Sequence, residues 1–201
     1  MAAPRDLTTL DISGKWTLNR KLSDPMDDIL RLQGIGVLKR TAMGMGTAHL
    51  TVKHYKDDQF IEHIEIGQKY GGDGDSNGKI PGSKDIRILD GEDRRFEDYL
   101  IGPVVGNSRR ASIDELESEF LQSDWEGDVR RHGVIASSMR GDTNKGTKEW
   151  ISDLAWGFEN VKGVRRYTRR ISFTGPKGEK HYARLVYDYK GPLTESDEDE
   201  F

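Results

Sequence analysis

Residues 14–46 read GKWTLNRKLSDPMDDILRLQGIGVLKRTAMGMG, and the order of elements they encode decides the fold. Gly14-Lys15-Trp16-Thr17-Leu18 sets β-prone residues in alternation and opens a strand. Ser23-Asp24-Pro25 has the form of a helix start: side-chain oxygens for a cap, then proline where a missing N–H costs nothing. Met26, Ile29 and Leu30 follow at helical spacing. Gly34 and Gly36 break that run, Ile35, Val37 and Leu38 make a second brief apolar turn, and Gly44-Met45-Gly46 ends it. Beyond this point the apolar period is two. A helix pair directly after the first strand of a β-rich chain covers a barrel mouth and points to a cavity.

Over residues 12–45 the text resembles the start of the cytosolic fatty-acid-binding proteins, lipocalin-like members of the calycin superfamily. The resemblance is carried by Trp16, Asp27-Asp28-Ile29, Gly34-Ile35-Gly36 and Lys39-Arg40, with a fainter echo at Leu121-Gln122-Ser123-Asp124-Trp125-Glu126-Gly127. It implies an all-β, calycin-like antiparallel β-barrel with a short helix pair after the first strand. It also implies that Trp16 plugs the closed end and that a small molecule occupies the interior.

Composition bounds the reading. Hydrophobic residues make up 34% of the chain and charged residues 33%, which suits either a barrel around a partly polar cavity or a very polar exterior. The net charge of −4, with both signs interleaved, offers no field for nucleic acid. Without cysteine there is no disulfide framework and no zinc–thiolate site. No apolar run reaches membrane-spanning length and the start lacks the apolar core of a secretion signal, so a cytoplasmic protein without stable membrane insertion is expected. Residues 1–193 are expected to form one calycin-like barrel domain, and Glu195-Ser196-Asp197-Glu198-Asp199-Glu200 makes 194–201 an acidic tail expected to be disordered and solvated.

Along the chain, 47–56 and 59–69 read as a hairpin whose faces mix Phe60, Ile64 and Ile66 with Glu62. Ile86-Arg87-Ile88-Leu89 and Arg95–Ile101 are short strands. Residues 102–128 depart from the strand pattern and read as an inserted loop or short helix, with a capping box at Ser112-Ile113-Asp114-Glu115. In 150–158 the residues Trp150, Leu154, Trp156 and Phe158 share one face, either lining a cavity or filling core. Arg165–Phe173 and Lys180–Tyr189 form a hairpin turning at Gly175-Pro176-Lys177-Gly178.

That last hairpin carries the strongest binding candidates. An anionic head buried in a barrel needs a guanidinium fork and a phenol to replace its lost hydration. The fatty-acid-binding proteins meet this with Arg-x-Tyr in the final strand, whereas here Arg184 and Tyr187 fall on opposite faces and Arg165-x-Tyr167 keeps the spacing one strand earlier. The expected ligand site therefore combines Arg165, Tyr167, Arg184 and Tyr187 as polar anchors with Trp150, Leu154, Trp156, Phe60 and Ile64 as walls. The alternative is an outward basic stripe. His49 or His63 beside Glu62 is a candidate acid–base pair. Asp73, Asp75 and Asn77 match the opening of a calcium loop, but Lys84 stands where the bidentate glutamate belongs, so neither metal nor cofactor is expected. Two function classes follow: non-covalent binding of a fatty-acid-like, polycyclic or polyene molecule, or an enzyme that uses the same cavity for isomerisation, cyclisation or other proton-transfer chemistry on such a molecule.

Overall fold

The computed structural model describes residues 1–72, 82–98 and 100–201, with backbone alone for 198–200. Its strands are β1 (Gly14–Leu18), β2 (Thr47–Lys56), β3 (Glu62–Gly71), β4 (Ser83–Ile88), β5 (Arg94–Asp98), β6 (Gly102–Ala111), β7 (Val134–Gly141), β8 (Ile151–Val161), β9 (Val164–Thr174) and β10 (Lys180–Gly191). They form one antiparallel sheet in the order β4-β3-β2-β1-β10-β9-β8-β7-β6-β5, curled so that β4 comes close to β6. Helices α1 (Asp27–Leu32) and α2 (Val37–Met45) follow β1, as residues 14–46 predict. The fold is the expected calycin-like barrel.

Alternation sets the inner face. Trp16 pairs with Leu50 on one side and Tyr189 on the other, while Leu18, Tyr187 and Tyr167 pair in a row. Trp16 is buried among Phe158, Tyr167 and Tyr189 at ring separations of 6.2, 5.1 and 5.0 Å, and its indole N–H donates to the Ile12 carbonyl. It plugs the closed end. A second apolar cluster, with Trp150, Ile171, Phe173 and Ala183, seats Ile29 of α1. Helix α2 buries no residue.

Several sequence expectations are corrected here. Ser23 and Asp24 do not cap α1: the Ser23 hydroxyl accepts from the Val186 N–H and the Asp24 carboxylate from the Arg184 N–H. Both residues continue the β1 edge along β10, and α1 starts later with no side-chain cap. Residues 102–111, read as part of an insertion, are the strand β6, paired with β5 and β7. Gly102, Pro103, Gly106 and Asn107 hide its period, and hydrogen bonding from both sides holds it in the sheet. The insertion proper begins at the Ser112–Glu115 capping box, which opens a single 3₁₀ turn before α3 (Glu119–Gln122) and α4 (Gly127–His132).

The insertion packs on the outer face of the sheet, where Gly157 lets it approach. A Cβ there would lie 2.9 Å from the Trp125 ring and 3.1 Å from Val129. In the tail, residues 195–200 form a 3₁₀ segment, Lys15 pairs with Asp197 at 3.2 Å, and the Lys84 ammonium donates to the Phe201 carbonyl at 2.7 Å. Lysines on the outer faces of β1 and β4 draw it onto the barrel.

Candidate functional site

A cavity of about 630 Å³ lies inside the barrel under the helix pair. Pro25, Met26 and Leu30 beside and within α1, with Arg40 and Met43 of α2, form its roof, and Ala48, Leu154, Ile171 and Leu185 its apolar wall. Its polar groups are Gln68 and Tyr70 from β3, Arg169 from β9 and Tyr187 from β10. Asp24 and Asp27 stand at the helix rim, Asp24 engaged by the Arg184 N–H and Asp27 by the Arg40 Nε at 2.8 Å.

Arg169 dominates this site. Its Nε donates to the Tyr167 hydroxyl at 2.9 Å, and its guanidinium carbon sits 4.1 Å from the Trp156 ring centroid, 5.5 Å from Tyr167 and 5.4 Å from Tyr187. Its Nη2 is buried and has no hydrogen-bond partner among the described residues. Burial works against the charge, but Tyr167, Tyr187 and Asp85 outweigh it and raise the guanidinium pKa. Burial also pushes Tyr167 up to about 12 against the pull of Arg169, pushes Tyr70 up to about 12, and raises Tyr187. The Tyr167 oxygen already accepts from Arg169 and the Tyr70 oxygen from Gln68, so both phenols keep their own protons to give. The floor is thus rich in donors.

The expected residues distribute unevenly around this cavity. Tyr187 and Leu154 line it, and Tyr167 and Trp156 lie just beneath, supporting Arg169. Trp150 stacks on Phe173 at 6.0 Å under α1, and Ile64 is packed in the closed-end core. Phe60 is no wall: it sits in the β2–β3 turn at φ +62°, 83% exposed, its N–H bonded to the Asp57 carbonyl. Arg184 faces outward and donates to Glu159 at 3.2 Å. Arg165 is at the closed end, where its fork is filled by Glu126, Asp128 and the carbonyls of Pro4 and Leu7, with its carbon 3.9 Å from the Phe158 ring. It fastens the N-terminal segment.

The acid–base pair does not assemble. His49 lies between the Thr17 hydroxyl and the Gly72 carbonyl, and His63 pairs with Asp57 and stacks on Tyr55. Glu62 is at the closed end with His54 at 2.7 Å and Arg110. Burial alone would raise its pKa, but hydrogen bonds from His54 and Arg110 bring it down to about 2. Asp73, Asp75 and Asn77 lie outside the described residues. The sequence places Arg169 on the same face as Tyr167 and Ile171, two steps along that face from Arg165.

Comparisons with known proteins agree with this architecture. The REP1-NXSQ fatty acid transporter superposes with a TM-score of 0.52 at 12% identity, over 90% of this chain and 98% of that one. The fluorescent protein UnaG gives 0.52 at 12% identity over 89% and 97%, and human cRBP IV 0.51 at 12% identity over 90% and 98%. The fold is that of the fatty-acid-binding proteins. In sequence, the chain is 28% identical over 206 residues to a protein of Mollisia scopiformis named probable pericyclase scpY, spanning 95% of this chain and 96% of that protein. No protein-family profile matches the chain. Among the described residues, no helix is long and apolar enough to cross a membrane.

Proposed function

We propose that the cavity binds a hydrophobic, conjugated carbonyl compound and closes a ring in it by a pericyclic reaction. The observation that carries this reading is Arg169, a cation that lines the cavity, set in aromatic faces and with a buried Nη2 that has no hydrogen-bond partner among the described residues, on a floor of protonated phenols. A donor of this kind on a carbonyl oxygen draws electron density from the conjugated system and stabilises charge that develops there in the transition state. The apolar wall and helix roof fold a flexible chain so that its reacting carbons meet.

The described lining residues offer no uncommitted histidine or carboxylate, so proton abstraction has no base to run through. An electrocyclic ring closure needs none. It exchanges one π bond for one σ bond within one molecule, with no proton or electron gained or lost. Similarity to a protein named probable pericyclase along nearly the whole chain supports the same reading. The second reading is a carrier, favoured by the fold shared with a fatty acid transporter.

Linear methyl trienones of graded chain length distinguish the two. Ring closure bleaches the conjugated absorbance and gives a product of unchanged mass, and Arg169→Met slows it by roughly 100-fold. Trienones that bind and return unchanged at every length would leave the carrier reading.

A further inference from the structure

We propose that the ligand of this cavity is a hydroxylated carbonyl compound: Arg169 takes the carbonyl oxygen, and Gln68 and Tyr70, on the opposite wall, take a hydroxyl group of the same molecule. The proposal rests on Arg169 being the carbonyl anchor and names a second polar group that the ligand carries.

Gln68 and Tyr70 stand two apart on β3, so alternation turns both side chains to one face, and both line the cavity with Arg169 and Tyr187. Strands β2, β1 and β10 separate β3 from β9 in the curled sheet, which sets the two walls across the interior from each other. The register partners of Gln68 and Tyr70 on β2 are Leu50 and Ala48. Leu50 packs in the closed-end core and Ala48 lines the cavity, so the pair runs from the floor up into the open interior.

The Gln68 Nε2 donates to the Tyr70 hydroxyl at 2.5 Å. This bond leaves the Tyr70 proton to be given away. It also leaves the Gln68 carbonyl oxygen, which has no partner among the described residues, as an acceptor. An amide that donates through its nitrogen accepts more strongly at its oxygen. Side by side, the two residues offer one acceptor and one donor. A ligand hydroxyl satisfies both, because it gives its proton to Gln68 and accepts from Tyr70. An ether oxygen satisfies Tyr70 alone, and a methyl group satisfies neither.

The other side-chain acceptors of the lining are engaged. Asp24 and Asp27 lie at the exposed rim, where they accept from the Arg184 N–H and from Arg40. The Ser23 hydroxyl accepts from the Val186 N–H and donates to the Asn19 carbonyl. In a wall set with the donors Arg169, Tyr70 and Tyr187, Gln68 supplies the amide acceptor that a ligand O–H needs. A ligand without a hydroxyl would strip water from that carbonyl and put nothing in its place. Holding a chain at both ends also restricts how its middle folds.

The probes are linear methyl enones of graded length whose saturated tails end in a hydroxyl, a methoxy or a methyl group; none of them can close a ring. Calorimetry on the wild-type protein should show the hydroxyl probe of fitting length binding roughly tenfold more tightly than the other two. Gln68→Leu should bring the hydroxyl probe down to the level of the methyl probe, and Tyr70→Phe should shrink the difference. Equal affinity of the three probes at every length, or a preference that survives in Gln68→Leu, overturns the proposal. The wild-type comparison needs no variant, so it decides the matter even where a substitution disturbs folding. Arg169→Met should weaken all three probes alike. If it does so while the wild type shows no hydroxyl preference, the hydroxyl site fails and the carbonyl anchor stands. If it weakens none while Gln68→Leu erases a hydroxyl preference, the carbonyl anchor fails and the hydroxyl site stands.

Discussion

Nε of Arg169 donates to the Tyr167 hydroxyl across 2.9 Å, so a guanidinium and a phenol on the inner face of β9 act as one unit. The bond fixes the plane of the fork. Tyr167→Phe removes the acceptor and leaves a buried donor unsatisfied. Urea unfolding should show a loss of about 1–3 kcal/mol, and trienone binding should weaken with it.

Arg165→Met and Arg169→Met should separate cleanly. Arg165 is saturated by Glu126, Asp128 and two carbonyls, so its loss strands two carboxylates and frees the N-terminal segment. We expect Arg165→Met to cost about 3 kcal/mol of stability with cavity affinity unchanged. Arg169→Met should do the reverse, and calorimetric binding beside thermal melts reads both.

Trienone affinity should stay flat from about pH 7 to about pH 10, because Tyr167 and Tyr70 titrate only near 12. A fall near the ordinary tyrosine value, about 10, would show that these phenols are hydrated in solution. A binding titration across this range, with folding checked by circular dichroism, gives the answer.

Glu62 makes acid sensitivity specific. Its folded pKa of about 2 is depressed from 4.5, so its contribution is present above 4.5 and disappears as pH falls from there towards 2. Glu62→Gln should cost about 3 kcal/mol at about pH 7, and the gap to wild type should close over that window. A gap unchanged at low pH would rule out a titrating Glu62–Arg110–His54 cluster as its source.

Two glycine substitutions test the packing. Gly157→Ala pushes a methyl into Trp125 and Val129, and should loosen the insertion at a cost of about 1–3 kcal/mol. Gly36→Ala meets nothing within 4 Å, so it should leave stability near wild type and slow ligand uptake by stiffening the hinge before α2. Stopped-flow binding measures the latter.

The sequence by itself determined the barrel, the helix pair and the aromatic face of β8, because these rest on local periodicity and on glycines that break it. Trp16 was legible as a plug only through the resemblance of residues 12–45 to the fatty-acid-binding proteins. Strand β6 was not, since its glycines, proline and asparagine carry no period and only pairing on both sides makes it a strand. The capping role expected of Ser23 and Asp24 was lost to β10, whose backbone lies too far along the chain to be read locally.

The site divides in the same way. Alternation put Arg165, Tyr167 and Arg169 on one inner face, a fact of the sequence. Which arginine stays open was decided by tertiary structure, because availability depends on partners brought from distant segments. Glu126, Asp128 and the N-terminal carbonyls fill the fork of Arg165 and Glu159 engages Arg184, whereas Nη2 of Arg169 has no hydrogen-bond partner among the described residues.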